Sequence, residues 1–336
     1  MSHIYITDNG SFLGVDGGRY VIRRKDELVR SIPRETVESI SIFGNSSLST
    51  KAVQQLLLDG TPVNFFSGRG KYYGILLSTD EMGRKTGIRR KQFRAFEDES
   101  FRLSLAREMI TAKIHNQRVL LNRICEEKSK YMSLFNQIAV AEQKAPKAVN
   151  EAQLMGYEGM AARAYFHVMG QSVDPDFRFS KRSRRPPRDA FNSMLSLGYT
   201  LLAHEAISTL MFSGLDPYSG ILHAERNGGA SLAFDLMEEW RAPIVDAIVS
   251  SMVNGHEIRT DDFMDDENGN AIYLTNAGMR KYLKKYERKM VTRTKYLTYE
   301  SANSISFRDA IFRQCSALIS SIESHDAEQY HPFRIR

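Results

Sequence analysis

The chain has 336 residues, enough for two domains, and its 42% hydrophobic and 26% charged residues are ordinary for a soluble protein with real cores. No apolar run approaches the ~20 residues of a membrane span, and the first residues, MSHIYITDNG, lack the basic start and apolar core of an export signal. Two distant cysteines, Cys125 and Cys315, suit a reducing cytoplasm better than a disulfide framework, and the net charge of +6 leaves the placement of the cations to decide whether an anionic partner is implied.

Residues 1–78 read as a β-rich, sandwich-like domain. Short β-branched or aromatic runs at 4–6, 12–15, 20–22, 37–43 and 63–66 are punctuated by Asp8-Asn9-Gly10, Asp16-Gly17-Gly18 and Gly68-Arg69-Gly70. One helix interrupts at 50–59, with Ser49 or Thr50 as cap and Gly60 as stop. Residues 79–100 gather arginines and lysines with two glycines and read as a basic linker. From Phe101 the period becomes helical: Ile110, Ile114, Gln117, Leu121 and Ile124 form one stripe of a long helix. Further helices are expected near 129–144, 150–169, 189–213, 231–253, 275–290 and 305–323, with Asp189 as an N-cap. The expected architecture is therefore α+β: a β-rich N-terminal domain, then a larger all-α domain over 101–325, with 326–336 as a tail.

Several apparent motifs fail on spacing. His204-Glu205 opens like a zincin helix but lacks the second histidine. The acidic run 261–267 before Asn268-Gly269 places Met264 and Thr275 where a calcium loop needs ligands, so a hairpin turn is the better reading. No phosphate-binding glycine loop or hydrolase nucleophile turn is present.

Two acidic centres and three basic tracts stand out. Asp235, Glu238 and Glu239 fall at i, i+3 and i+4 on one helix, shortly after His223, and crowded carboxylates beside a histidine invite a hard divalent metal. A solvated acidic face accounts for the same pattern equally well. Glu158 lies among small residues in GYEGMAAR, where a salt bridge to Arg163 or to a basic tract is the simpler reading. The tracts are 84–94, with Arg84 and Arg89; 181–188, with Arg184, Arg185 and Arg188 stiffened by two prolines; and 280–295, with Lys284 and Lys285 on one helical face. Such clusters bind phosphate backbones by counterion release, although the third also suits a solvated helix face.

Taken in order, these pieces resemble one family, the universal CRISPR-associated endonuclease and integrase of the spacer-acquisition complex. The resemblance rests on Glu158 in GYEGMAAR, on Ser183-Arg184-Arg185-Pro186-Pro187-Arg188-Asp189 with Asn192, Leu195, Ser196 and Tyr199, on Gly214-Leu215-Asp216-Pro217-Tyr218 leading to His223, and on Asp235-Leu236-Met237-Glu238-Glu239. It implies a metal-dependent enzyme that inserts short foreign DNA into a CRISPR repeat array by attack of a 3′-hydroxyl on a phosphodiester. It also implies Mg²⁺ or Mn²⁺ held by Glu158, His223 and Glu238, with Asp235 as the accompanying catalytic acid. His223 is left open between metal ligand and acid. Arg84, Arg89, Arg184, Arg185, Arg188, Lys284 and Lys285 are the expected DNA contacts. The expected partners are double-stranded DNA with free 3′ ends, repeat DNA, a second copy of the chain and a small ferredoxin-like companion subunit, all in the cytoplasm. A stand-alone branched-DNA repair nuclease and a non-catalytic DNA-binding scaffold are the alternatives.

Overall fold

The computed structural model describes residues 2–79, 85–222, 229–296 and 304–336. Two compact units result, one of residues 1–84 with 274–283 and one of 85–273 with 284–336.

The first unit is built on two four-stranded sheets. In one, β1 (Ser2–Ile6), β5 (Val37–Phe43), β7 (Val63–Phe66) and β8 (Tyr72–Leu76) lie in that order, parallel except for the β7–β8 pair. In the other, β4 (Glu27–Pro33), β3 (Arg19–Arg24), β2 (Ser11–Asp16) and β6 (Ser46–Leu48) are neighbours, with only β2–β6 parallel. Alternating apolar residues of both sheets, among them Ile4, Ile6, Leu13, Ile22, Ile40 and Ile42, share one core with Leu56 of α1 (Thr50–Leu58). Ser49 caps α1 by accepting the Ala52 N–H at 3.0 Å. Strand β4 lacks the expected signal because four of its residues are exposed and mixed in character, Glu27-Leu28-Val29-Arg30.

The rest of the chain is mostly helical: α2 (Thr86–Glu97), α3 (Glu99–Ile124), α4 (Met132–Lys144), α5 (Glu151–Gln171), α6 (Ala190–Ser213), α7 (Ser231–Trp240), α8 (Ala247–Asn254), α9 (Asn276–Met290) and α10 (Phe307–Ser324). Two two-stranded ribbons interrupt it, so "all-α" holds only approximately: β9 (Phe263–Asp265) with β10 (Ile272–Leu274), and β11 (Arg293–Thr294) with β12 (Ile305–Ser306). The first is the hairpin expected around Asn268-Gly269, with Gly269 at φ +64°.

Residues 86–97, read from sequence as part of a basic linker, form α2 and belong to the helical unit. Gln92 is fully buried there, donating to the Asp216 carbonyl at 2.9 Å and accepting the Asp216 N–H at 2.7 Å. Helix α3 is the central element: buried side chains surround it, and it packs on α5, α7 and the turn after α7. Asp98 caps it by accepting N–H groups of Ser100 and Phe101.

The expected helix 231–253 is broken. After Trp240 the chain opens into a π-helical turn, 241–246, before α8. Pro243 has no N–H to donate and its ring crowds the preceding turn, which favours this widening. The C-terminal segment is no loose tail: Tyr330 and Phe333 are 1% exposed, and Asn116 of α3 donates to the Phe333 carbonyl at 3.0 Å and accepts the Ile335 N–H at 2.9 Å.

Candidate active site

The site is assembled in the helical unit on α3, α5 and α7. Lys113 of α3 lies between Ala112 and Ile114, both fully buried. Its Nζ is 2.5 Å from Oε1 of Glu158 on α5 and 2.7 Å from Oε2 of Glu238 on α7. Arg241 Nε, in the π-turn, is 3.0 Å from the same Glu238 oxygen. The side chains are 11%, 16% and 8% exposed for Lys113, Glu158 and Glu238, so these charges interact with little screening by water. Burial alone would lower the Lys113 pKa, yet Glu238 and Glu158 hold it above its ordinary value.

The three carboxylates of α7 do not pool. Asp235 is fully buried, and its Oδ2 accepts the backbone N–H of Ile221 at 2.7 Å and of Leu222 at 3.0 Å. Gly220 lets this turn approach: a Cβ there would stand 2.6 Å from the Ser231 Cβ and 3.1 Å from the Asp235 carboxylate. Asp235, expected among the catalytic acids, fastens the segment that leads to His223. Glu239 turns to the C-terminal segment, accepting the Tyr330 hydroxyl at 2.5 Å and the Phe333 N–H at 2.8 Å, and burial pushes its pKa up to about 7. Only Glu238 faces Glu158.

A buried hydrogen-bond cluster connects this pair to the 181–188 tract. Asp246, fully buried in the π-turn, accepts the hydroxyls of Tyr165 at 2.7 Å and Tyr199 at 2.6 Å; burial raises its pKa to about 6. The guanidinium carbons of Arg241 and Arg182 lie 4.6 Å and 5.3 Å from the centroid of the same Tyr199 ring. Arg182 is turned inward, donating to Asn192 Oδ1 at 2.7 Å and Ser196 Oγ at 3.1 Å. Asp189 caps α6 by accepting the Asn192 N–H at 2.7 Å. Arg184, Arg185 and Arg188 remain exposed on the segment that enters α6.

The other expected DNA contacts are distributed differently. Arg89 is half-buried on α2, and Lys284 is exposed on α9. Lys285 is ion-paired with Glu257. Arg84 and His223 lie outside the described residues, so of the three expected ligands the structure describes Glu158 and Glu238. Among the described residues no three His, Cys, Asp or Glu side chains are grouped to hold an ion. A cavity of about 870 Å³ in the same unit, lined by residues including Asp98, His115, His325 and Arg334, includes neither Glu158 nor Glu238.

Lys113, Arg241 and Asp246 were not singled out from sequence. Lys113 alone left a trace there, a lysine inside the apolar run Met109-Ile110-Thr111-Ala112-Lys113-Ile114 on the buried stripe of α3.

A β-sandwich unit joined to a helical unit, with two glutamates converging on one cation beside an arginine-rich segment, defines an α+β protein with an acid pair suited to hard cations and a surface suited to phosphates. The chain belongs to the Cas1 family: the family model described as CRISPR associated protein Cas1 matches residues 4–288. It is 32% identical to the CRISPR-associated endonuclease Cas1 3 of Thermus thermophilus, over 99% of this chain and 97% of that one. Among solved structures, it resembles a CAS1 protein from Thermotoga maritima, with a TM-score of 0.80 and 25% identity over 96% of this chain and 97% of that one. It also shares its fold with a chain of a Cas6-RT-Cas1–Cas2 complex, with a TM-score of 0.85 and 24% identity over 99% of this chain and 36% of that one.

Proposed function

We propose that this protein is a divalent-metal-dependent DNA endonuclease and integrase that inserts short DNA duplexes into a CRISPR repeat array. The observation that carries the reading is the convergence of Glu158 and Glu238 on one cation, the Lys113 ammonium. Two carboxylate oxygens already paired with a positive charge are a fitting donor set for Mg²⁺ or Mn²⁺, and Glu158 and Glu238 would hold the ion together with His223. Such an ion, when bound, supplies Lewis-acid polarisation of a phosphodiester oxygen.

The chain's own residues supply the rest. Exposed Arg184, Arg185 and Arg188 pair with backbone phosphates and set the register of the DNA. Arg89 and Lys284 extend that footprint, as does Arg84. Asp235 fixes the segment before His223. In integration, the 3′-oxygen of the incoming strand forms a new bond to phosphorus, and the bond to the 3′-oxygen of the target strand breaks; in hydrolysis, water replaces the incoming hydroxyl. One acid pair therefore serves both activities.

The partners follow from the same reading: duplex DNA with free 3′ ends, repeat DNA, a second copy of this chain and a small ferredoxin-like companion. The likeness to a chain of a Cas1–Cas2 assembly supports the last of these. A cytoplasmic setting agrees with two buried free cysteines, Cys125 and Cys315; no described helix is long and apolar enough to cross a membrane.

The test is an integration assay with a supercoiled repeat-bearing plasmid, short duplexes and Mn²⁺ or Mg²⁺, with and without EDTA and the companion subunit. Strand transfer that needs the metal and is lost in Glu158→Ala is the expected result. Full activity in Glu158→Ala, or in EDTA, overturns the reading. Cleavage of branched DNA with no repeat preference and no need of a companion points to a repair nuclease instead.

A further inference from the structure

We propose that Lys113 is a resident counter-cation that competes with the divalent ion for the oxygens of Glu158 and Glu238, and thereby couples metal binding to DNA binding. The inference rests on the metal-dependent reading above. Its basis is geometric. One ammonium is within 2.7 Å of an oxygen from each carboxylate, so an ion held by Glu158 and Glu238 would have to share those carboxylates with it or displace it.

Charge accounting gives the consequence. Glu158, Glu238, Lys113 and Arg241 sum to zero, and a divalent ion added to the group raises the sum to +2. Buried excess charge is costly unless a counter-charge arrives, and the phosphodiester of DNA is that counter-charge. Lys113 therefore weakens metal binding most in the absence of DNA, and phosphate relieves that penalty, so metal and DNA each favour the other's binding. Lys113 is a positioning residue here: it acts through the two glutamates, and its ammonium is free to pair with phosphate once displaced.

The experiment measures Mn²⁺ binding to the full chain by electron paramagnetic resonance, with and without a short DNA duplex, for the native protein, Lys113→Met and Lys113→Arg. Removing a competing cation in Lys113→Met tightens Mn²⁺ binding without DNA by about 10-fold or more and shrinks the further gain on adding DNA. Lys113→Arg keeps the positive charge and stays near the native affinity, which guards against a misfolded Met variant. Equal or weaker Mn²⁺ binding by folded Lys113→Met, or an undiminished gain from DNA, overturns the proposal. Glu158→Gln in the same titration separates the two readings: if native protein and Glu158→Gln bind Mn²⁺ alike, the metal site itself is misplaced, and both readings fall.

Discussion

The carboxylate of Asp235 accepts the backbone N–H of Leu222, the residue immediately before His223, at 3.0 Å. The same oxygen takes the Ile221 N–H at 2.7 Å, so one buried side chain on α7 fixes the chain just ahead of the histidine. Asp235→Ala orphans two buried amides and is expected to cost about 3 kcal/mol in urea unfolding. Asp235→Asn retains an acceptor oxygen and loses about half of that. Both should weaken Mn²⁺ binding more than they weaken DNA binding, since the defect lies in the approach to His223. Unchanged Mn²⁺ affinity in a folded Asp235→Ala protein would show that this fastening is of no consequence to the site.

Glu158 and Glu238 share Lys113, but only Glu238 also contacts Arg241. Their neutral variants are therefore unequal in stability. Glu238→Gln removes the carboxylate that contacts Arg241 and leaves Lys113 with Glu158 alone, and should cost about 3 kcal/mol or more. Glu158→Gln leaves Lys113 paired with Glu238 and should cost about 1 kcal/mol. Both should abolish metal-dependent cleavage. Parallel urea unfolding and cleavage assays check the pattern; equal destabilisation would contradict the shared-cation geometry.

Within the 181–188 tract, position predicts role. Arg184 and Arg188 are exposed, whereas Arg182 is bonded to Asn192 and Ser196 beneath them. Arg184→Ala and Arg188→Ala should each lower the slope of log K against log salt by about 0.9 while leaving thermal stability unchanged. Arg182→Ala should instead lower the unfolding temperature. Lys285→Ala should change DNA affinity little, because its ammonium is engaged by Glu257. Fluorescence anisotropy across a salt series measures the DNA affinities, and thermal unfolding of the same variants separates Arg182→Ala from the others.

The order of elements was legible because β-branched runs and a 3.6-residue period mark them directly: Ser49 and Asp189 cap helices as their chemistry suggests. Periodicity fails elsewhere for physical reasons. Residues 86–97 read as a linker because α2 is basic on its outer face and buries only Gln92, Ala95 and Phe96. The C-terminal segment has no period at all, yet the Phe333 ring lies tilted at 41° with its centroid 4.8 Å from that of Trp240, and its N–H ends on Glu239. At the site, the motif residues Glu158 and Glu238 were visible, but the cation joining them was not. Nothing in a helical pattern tells a buried lysine with two carboxylate partners from one on a wet surface. Equally, the i, i+3, i+4 spacing of Asp235, Glu238 and Glu239 suggested one shared face, whereas burial gave each carboxylate its own donors.

Asp246 sets a pH dependence with a definite sign. Its pKa is raised to about 6 from an ordinary aspartate value, first by burial, against the lowering effect of the Tyr165 and Tyr199 hydroxyls. The folded protein thus holds a proton that the unfolded chain gives up near pH 3.9. Between these values the native state binds more protons, so this group's contribution to stability is full below about pH 4 and is lost as pH rises through about 6. The size is of order 3 kcal/mol. Asp246→Asn removes the titration while keeping hydrogen bonds to both tyrosines, one hydroxyl now accepting from the amide. Urea unfolding of both proteins from pH 4 to pH 8 gives the comparison: the native protein should lose stability relative to the variant up to about pH 6 and run parallel above pH 7. A stability difference that does not change over that range would mean that Asp246 is ionised throughout, held so by Arg241 and Arg182.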